Sequence, residues 1–199
     1  ITGLVGSEMC IRDSFYGPKI DFQAKTLLGR EESISTTQLD FAQPLRFELR
    51  YVGEDGQEHM PYIVHRAPLG THERFLAFLI EHFGGAFPTW MAPLQVRVIP
   101  VAEKFLDYAE ELQQKLRDKL IRVDIDSSDN SFNKKIREAV THKIPNMAII
   151  GGKEVENGTV TLRRYCVKQQ HTLDRGVFIE RILRCRNERI MDNFADVEV

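Results

Sequence analysis

The chain has 199 residues, of which 42% are hydrophobic and 28% are charged, and its formal net charge is −2. This length allows one large domain or two small ones, and the small charge excludes a general electrostatic attraction to nucleic acid. No apolar run approaches the ~20 residues that span a bilayer, so we expect no membrane segment. Cys10, Cys166 and Cys185 lack CxxC spacing, which favours reduced thiols in a cytoplasmic protein over a disulfide framework.

Residues 1–14 do not share the pattern that follows, and they are too short and too polar for a signal peptide. We interpret them as a non-native or artefactual leader. The next fifty residues have the pattern of strands and short turns, which favours an antiparallel meander. The expected strands are one with Ile20, Phe22 and Ala24 facing inward, one at 34–41 and one at 47–51, with turns at 28–30 and 53–56.

A strand–turn–helix unit is predicted between residues 62 and 83. Tyr62-Ile63-Val64 is typical of a strand, and Pro68 and Gly70 end it. Thr71 is a candidate N-cap of the helix, and Gly84-Gly85 follows its end. The apolar positions of this helix have helical spacing: Phe75, Leu76, Leu79, Ile80 and Phe83.

Two residues of this unit have both a functional and an ordinary interpretation. Arg74 in the first helical turn opposes the helix dipole, which favours a bound anion beside it. The ordinary alternative is that Glu73 or another surface carboxylate neutralises Arg74. His65 is a potential metal ligand, but a metal site needs about three or four converging ligands. A packed or solvent-facing histidine is the alternative there.

The pattern changes after residues 86–93, a segment with two prolines that we interpret as a domain boundary. Strands and helices then alternate, which predicts a parallel core with right-handed crossovers. The expected elements are a strand at 96–99, a helix at 103–119, a strand at 121–125, a helix at 132–142 and a strand at 147–150. Asn157-Gly158 indicates a hairpin and an antiparallel edge, and Asp174 is a candidate cap of a last helix that ends near Met191.

Four segments of the chain resemble class II aminoacyl-tRNA synthetases. HRAPLGTHERF at 65–75 with the helix it begins, and GGAFPTWMAPLQVRVIPV at 84–101, resemble the third signature motif and its junction to an anticodon-binding domain. FYGPKIDF at 15–22 and QLDF at 38–41 resemble threonyl-tRNA synthetases specifically. The resemblance implies an α+β unit at 15–90, the end of an antiparallel-sheet catalytic domain. It also implies an α/β anticodon-binding domain with a mixed, largely parallel sheet at 93–199.

The resemblance implies roles for individual residues of the first domain. Arg74 matches the arginine that contacts the phosphates of ATP, which is bound with Mg²⁺. Other matches lie near the adenylate or the tRNA end: Tyr16, Lys19, Gln38, Gly70 and Thr71. From pattern alone, Tyr16 is equally a strand aromatic, Lys19 a solvated cation and Gln38 a surface amide.

His65 matches one of three protein ligands of a zinc ion that holds threonine, an ion able to act as a Lewis acid with open coordination positions. The other two family ligands, a Cys and a His, belong to sequence upstream of this chain. Lys153, Glu154 and Arg163 match positions that read anticodon bases. A further basic patch is expected at Lys134, Lys135 and Arg137, and a solvated helix face and hairpin is the alternative for all six residues.

We therefore expect a threonine–tRNA ligase, which activates threonine with ATP and transfers it to tRNA(Thr), and which is a cytoplasmic homodimer when complete. Because the family's first and second motifs are not in the printed sequence, we expect a truncated chain that is inactive alone. Ser33 and Ser35 stand where the family usually has a Trp-Gln pair and its neighbours. This departure keeps a noncatalytic tRNA-binding or regulatory paralogue as an alternative, and an unrelated phosphate-binding α/β protein is the third.

Overall fold

The computed structural model describes residues 16–193, so the expected leader at 1–14 lies outside the described residues. The chain divides into two compact units, the first ending at Phe83 and the second beginning at Gly84. Each unit has its own sheet. Within residues 16–193, no helix has both the length and the apolar character needed to cross a membrane.

The first unit is built on a three-stranded sheet whose pairs are antiparallel, as the sequence predicted. In chain order its elements are β1 (Lys19–Lys25), β2 (Glu31–Asp40), α1 (Ala42–Arg46), β3 (Tyr51–Val52), β4 (Glu58–His59), β5 (Ile63–Ala67) and α2 (His72–Phe83). The sheet has the order β1-β2-β5, and β3 and β4 form a separate hairpin. The helix ends where predicted, because Gly84 and Gly85 take positive φ angles of 55° and 76°.

Two predictions for the strands of this unit are wrong. Of the three residues expected to face inward, Ala24 is buried, but Ile20 and Phe22 are 44% and 43% exposed. Asp21 between them is buried instead, and its carboxylate has polar partners on its own face of the sheet. Residues 47–50 do not form a strand, and of the predicted segment only Tyr51 belongs to one. Instead, α1 ends just before them, and Glu48 takes a positive φ of 53° that turns the chain before the short β3.

The second unit has a five-stranded mixed sheet with helices packed on it. Its elements are β6 (Val96–Pro100), α3 (Leu106–Asp118), β7 (Val123–Ile125), α4 (Phe132–Thr141), β8 (Asn146–Ile150), α5 (Gly152–Asn157), β9 (Thr159–Arg164), β10 (Gln170–Asp174) and α6 (Arg175–Asn187). The strand order is β10-β9-β8-β6-β7, in which β6 pairs in parallel with β7 and β8, and the other pairs are antiparallel. The predicted mixed sheet with a parallel core is confirmed.

The central strand β8 of the second unit is buried on both faces of the sheet. Ala148 and Ile150 belong to the core on one face, which includes residues of α3 and α6. Met147 and Ile149 belong to the core on the other face, which includes residues of α4. This explains why β8 is a nearly continuous apolar run rather than an alternating one.

The hairpin predicted at Asn157-Gly158 is not formed. Residues 152–157 form α5, and Gly158 ends this helix in the left-handed conformation with a φ of 68°. A glycine after a helix is a C-cap signal as well as a turn signal, which is why the pattern misled. The antiparallel edge does follow, and Asp174 caps α6 by accepting a 2.7 Å hydrogen bond from the Gly176 N–H.

Candidate functional site

Three of the predicted site residues lie side by side on the sheet of the first unit. Gln38 on the central strand β2 is the cross-strand partner of Lys19 on one side and of His65 on the other. Cross-strand partners point to the same face of a sheet. The sheet therefore presents a row of an ammonium, an amide and an imidazole. These three groups come from residues far apart in the sequence, since Lys19 and His65 are 46 positions apart.

The same face continues with a second row of polar residues. Lys19 Nζ lies 2.8 Å from Asp21 Oδ2, and the Thr36 hydroxyl donates a 2.7 Å hydrogen bond to Asp21 Oδ1. Asp21 is buried, so it holds the Lys19 ammonium at a defined place rather than leaving it solvated. We call Lys19, Asp21, Thr36, Gln38 and His65 the polar face.

His65 is held by a residue that the sequence analysis did not select. Its Nε2 lies 2.7 Å from Oδ2 of Asp40, whose carboxylate is fully buried, while the His65 side chain is 54% exposed. Burial would raise the pKa of Asp40, but hydrogen bonds from the backbone N–H groups of Gln43 and Ala42 and from His65 lower it below its usual value. Asp40 lies within the QLDF segment, but its role could not be predicted from that segment because it depends on a partner 25 residues away.

A single histidine does not make a metal site. Within residues 16–193, no three His, Cys, Asp or Glu side chains come together as a potential metal cluster. The pairing of one imidazole nitrogen with a buried carboxylate is nevertheless the arrangement that metal-binding histidines use. His65 thus fits one ligand position, and further ligands would have to come from outside the described residues.

Tyr16 and the two residues after it extend the pairing along β2. The Phe41 N–H donates to the Tyr16 carbonyl at 2.9 Å, and the Leu39 N–H donates to the Pro18 carbonyl at 3.0 Å. Gly17 lies between them with a φ of 146°, and a Cβ there would be 2.7 Å from the Leu39 carbonyl oxygen. Only glycine fits this close approach, which places Tyr16 beside the start of the polar face.

The turn before α2 positions Arg74. Gly70 takes a positive φ of 62°, and Thr71 Oγ1 lies 3.4 Å from the Arg74 N–H, at the long end of an N-cap hydrogen bond. The Arg74 side chain is exposed and lies beside residues 32–34 of β2. In the part of the chain that the structure describes, the Arg74 guanidinium has no ion pair, so neutralisation by Glu73 is not observed.

The three residues predicted to read anticodon bases lie around α5 and β9. Lys153 is exposed, and Arg163 is half-buried two residues beyond Thr161, on the same face of β9. Glu154 is already engaged: one oxygen accepts from the Gly151 N–H at 3.0 Å and the other from the Thr161 hydroxyl at 2.8 Å. Glu154 therefore secures α5 to β9 in addition to any contact it makes with a ligand.

The additional basic patch is only partly present. Lys135 is buried, and its ammonium donates a 3.0 Å hydrogen bond to the Asp126 carbonyl, so this part of the prediction is wrong. Lys134 donates to Asn130 Oδ1 at 2.8 Å, and Arg137 is exposed. The spacing of α4 did not reveal that one of its lysines points inward.

A crevice of about 310 Å³, which no sequence pattern indicated, lies beyond the carboxyl ends of β6 and β7. Parallel α/β sheets bind ligands at this edge. Asp126 Oδ2 is buried near it without a hydrogen-bond partner. The residues that line the crevice include Pro100, Ala102, Ser127, Asp129, Asn130 and Lys135. Because Pro100 pairs with Ile150 at the end of β8, the crevice and α5 lie at the same edge of the sheet.

Comparisons with known proteins agree with this architecture. The family model described as "tRNA synthetase class II core domain (G, H, P, S and T)" matches residues 3–83, and the one described as "Anticodon binding domain" matches residues 95–184. Threonine–tRNA ligase from Streptococcus sanguinis is 54% identical over 171 residues, which are 85% of this chain and 26% of that protein. Its counterpart from Staphylococcus carnosus is 49% identical over 178 residues, 89% of this chain and 28% of that protein.

The chain belongs to the threonyl-tRNA synthetase family. A crystal structure of the RNA-binding domain of threonyl-tRNA synthetase from Cryptosporidium parvum Iowa II matches with a TM-score of 0.79 and 35% identity. That match covers 92% of this chain and 45% of the other. The resemblance to threonyl-tRNA synthetases drawn from the sequence is confirmed, and so is the fold class. The chain spans about a quarter of the length of these curated relatives.

Proposed function

We propose that the chain is the C-terminal part of a threonine–tRNA ligase, with the end of the catalytic domain at 15–90 and the anticodon-binding domain at 93–199. The observation that carries this proposal is the row Lys19–Gln38–His65, which brings one residue from each of three separate family segments to one face of the sheet. In the complete cytoplasmic homodimer, this face would take part in ATP-dependent activation of threonine and its transfer to tRNA(Thr).

In this proposal, each group of the first unit has a task suited to its chemistry. The exposed Arg74 guanidinium neutralises the phosphates of ATP bound with Mg²⁺, because a delocalised cation with several N–H donors matches phosphate oxygens. Lys19 and Gln38 orient the adenylate or the tRNA end by hydrogen bonds. His65 holds a zinc ion, which as a Lewis acid would bind the amino and hydroxyl groups of threonine.

The second unit recognises the anticodon through α5, β9 and the neighbouring crevice. Unstacked anticodon bases expose their edges, and charged side chains such as Lys153 and Arg163 read those edges or bind the phosphates. The chain has a net charge of −2, so its RNA affinity must come from these local cations.

Binding of an anticodon stem-loop tests this assignment on the 199-residue chain itself. We expect the chain to bind a fluorescent stem-loop of tRNA(Thr) more tightly than one with a changed anticodon, and Arg163→Ala to remove about 1–3 kcal/mol of binding. Arg184→Ala is the matched control, because Arg184 is an exposed arginine of the same unit that pairs with Glu188. Equal binding of both stem-loops would contradict the assignment. So would an equal loss of binding free energy in Arg163→Ala and Arg184→Ala.

The chain alone is expected not to catalyse the reaction. Within the described residues His65 has no second and third metal ligand beside it, so the threonine-holding zinc site is incomplete. Threonine-dependent exchange of pyrophosphate into ATP by the isolated chain would contradict this expectation.

A noncatalytic tRNA-binding or regulatory paralogue is the second candidate, and residues 33–35 favour it. Ser33 and Ile34 line the small pocket beside Arg74, where a short serine hydroxyl makes fewer contacts than a glutamine amide. Pyrophosphate exchange by the intact protein distinguishes the candidates, because only the ligase catalyses it with threonine.

A further inference from the structure

We propose that Asp40 is a positioning residue that fixes the tautomer of His65, so that His65 presents the lone pair of Nδ1 and not that of Nε2. This inference rests on the proposed function only where it links His65 to zinc. The tautomer itself is a property of this chain and is testable without any metal.

The Asp40 carboxylate is held rigidly from two sides. Its Oδ1 accepts hydrogen bonds from the backbone N–H groups of Ala42 at 3.0 Å and Gln43 at 2.9 Å, at the start of α1. Its Oδ2 lies 2.7 Å from Nε2 of His65. Because the first two donors belong to the backbone, the orientation of Oδ2 does not depend on flexible neighbours.

The position of the shared hydrogen follows from relative basicity. An ionised carboxylate only accepts hydrogen bonds, whereas a neutral imidazole has one N–H and one lone pair. An imidazole is also a stronger base than a carboxylate. The hydrogen between Asp40 and His65 therefore resides on Nε2, and the neutral ring keeps its lone pair on Nδ1.

The other ring nitrogen remains open. His65 Nδ1 makes no hydrogen bond with any residue between 16 and 193, and the side chain is 54% exposed. Metal-binding histidines typically donate one ring N–H to a carboxylate and bind the metal through the other nitrogen. Asp40 thus prepares His65 in the state that a metal ligand needs before any metal arrives.

The chain contains a matched control for this pair. His59 Nε2 lies 2.9 Å from each oxygen of Asp55, so a second histidine has the same nitrogen paired with a carboxylate. This pair is on the exposed β3–β4 hairpin, outside the three-stranded sheet. A change at Asp55 should therefore affect the His59 ring alone.

The first test is long-range proton–nitrogen NMR of the imidazole rings of this chain, recorded on the alkaline plateau where the ring signals no longer change with pH. We expect the Nε2–H tautomer for His65 in the wild type. In Asp40→Asn the amide oxygen still accepts from the backbone of α1, and the amide N–H donates to Nε2, so the ring hydrogen should move to Nδ1. Asp55→Asn should switch His59 and leave His65 unchanged.

Two results would overturn the proposal. One is an Nδ1–H tautomer of His65 in the wild type, which is decisive even if Asp40→Asn does not fold. The other is an unchanged His65 tautomer in a folded Asp40→Asn chain.

The second test measures the affinity of the intact ligase for zinc with a competing chelator. We expect Asp40→Asn to weaken zinc binding by about 10–100-fold and Asp55→Asn to leave it unchanged. If the tautomer switches but zinc affinity does not fall, the link between Asp40 and the metal is wrong. The anticodon-binding assignment would be unaffected, because it is tested separately on Arg163.

Discussion

Thr89 and Asp192 are joined by two hydrogen bonds, although 103 residues separate them. The Thr89 N–H donates to Asp192 Oδ1 at 2.8 Å, and the Thr89 hydroxyl donates to Oδ2 at 2.7 Å. The buried Arg164 pairs with the same carboxylate, and Asn146 Nδ2 donates to the Thr89 hydroxyl at 2.8 Å. The two ends of the second unit are therefore fastened to its sheet by one buried polar network.

Removing the Asp192 carboxylate should strongly destabilise the second unit. Asp192→Ala leaves the buried Arg164 without its counter-ion, and breaking a buried pair in this way typically costs about 3–5 kcal/mol. Urea unfolding should show this loss. Glu188→Ala removes the carboxylate of the exposed Arg184–Glu188 pair and should cost less than about 1 kcal/mol. Similar losses in the two variants would mean that the buried network contributes no more than a surface pair.

Cys185 should be chemically inert in the folded chain. Its side chain is buried, and burial, with Asp192 nearby, raises its pKa to about 12. Because thiolate is the reactive form, we expect a disulfide reagent at pH 8 to modify the exposed Cys166 and to reach Cys185 only after unfolding. The experiment uses the Cys10→Ser variant, so that only these two thiols are counted. Rapid modification of both thiols under native conditions would refute the expectation.

The raised pKa of Cys185 should also make the stability of the fold depend on pH in the alkaline range. The folded-state pKa of Cys185 lies above the ordinary value of 9.0, so deprotonation favours the unfolded state. The stability contributed by the protonated thiol is complete below pH 9 and is lost as the pH rises toward 12. Cys185→Ser should reduce this part of the alkaline loss of stability, measured by urea unfolding between pH 8 and pH 11. An identical pH dependence in the two proteins would contradict the assignment.

Local patterns predicted most of the second unit because its strands and helices are buried as regular layers. The nearly all-apolar β8 and the spacing of Ala109, Leu112 and Leu116 follow directly from that burial. The failures have physical causes too. Gly158 is a helix C-cap that resembles a hairpin turn, and Lys135 points inward because the Asp126 carbonyl accepts from its ammonium.

The candidate site was less predictable, since it depends on contacts between residues far apart in sequence. The motifs contained Lys19, Gln38 and His65, but only the register of three strands places these residues next to one another. Asp40 was missed because nothing in the order of residues shows that its carboxylate meets His65. The exposure of Ile20 and Phe22 also contradicts an alternation rule that assumes one fully covered face.

Glu154 should contribute to stability independently of any contact with RNA. It accepts from the Gly151 N–H and the Thr161 hydroxyl, so Glu154→Ala removes the cap of α5 and a link to β9. Loss of such a cap typically costs about 0.5–2 kcal/mol. Thermal unfolding should reveal this cost, whereas Glu156→Ala on the exposed side of the same helix should be nearly neutral. Equal melting temperatures for Glu154→Ala and the wild type would show that these hydrogen bonds add nothing.

Gly17→Ala should detach residues 16–18 from β2. An alanine Cβ would lie 2.7 Å from the Leu39 carbonyl oxygen and 3.0 Å from the Phe41 ring, at a φ of 146° that L-residues rarely adopt. Such backbone strain costs about 1–3 kcal/mol, and the steric clash adds to this cost. Residues 16–18 should therefore separate from β2. The backbone N–H groups of Leu39 and Phe41 then lose their acceptors, and hydrogen exchange at both should accelerate.

Gly29→Ala is the control, because the φ of Gly29, 78°, is also positive but no atom lies within 4 Å of the added Cβ. Acceleration at Leu39 and Phe41 in Gly29→Ala as well would show that general destabilisation, and not the close approach at Gly17, is responsible.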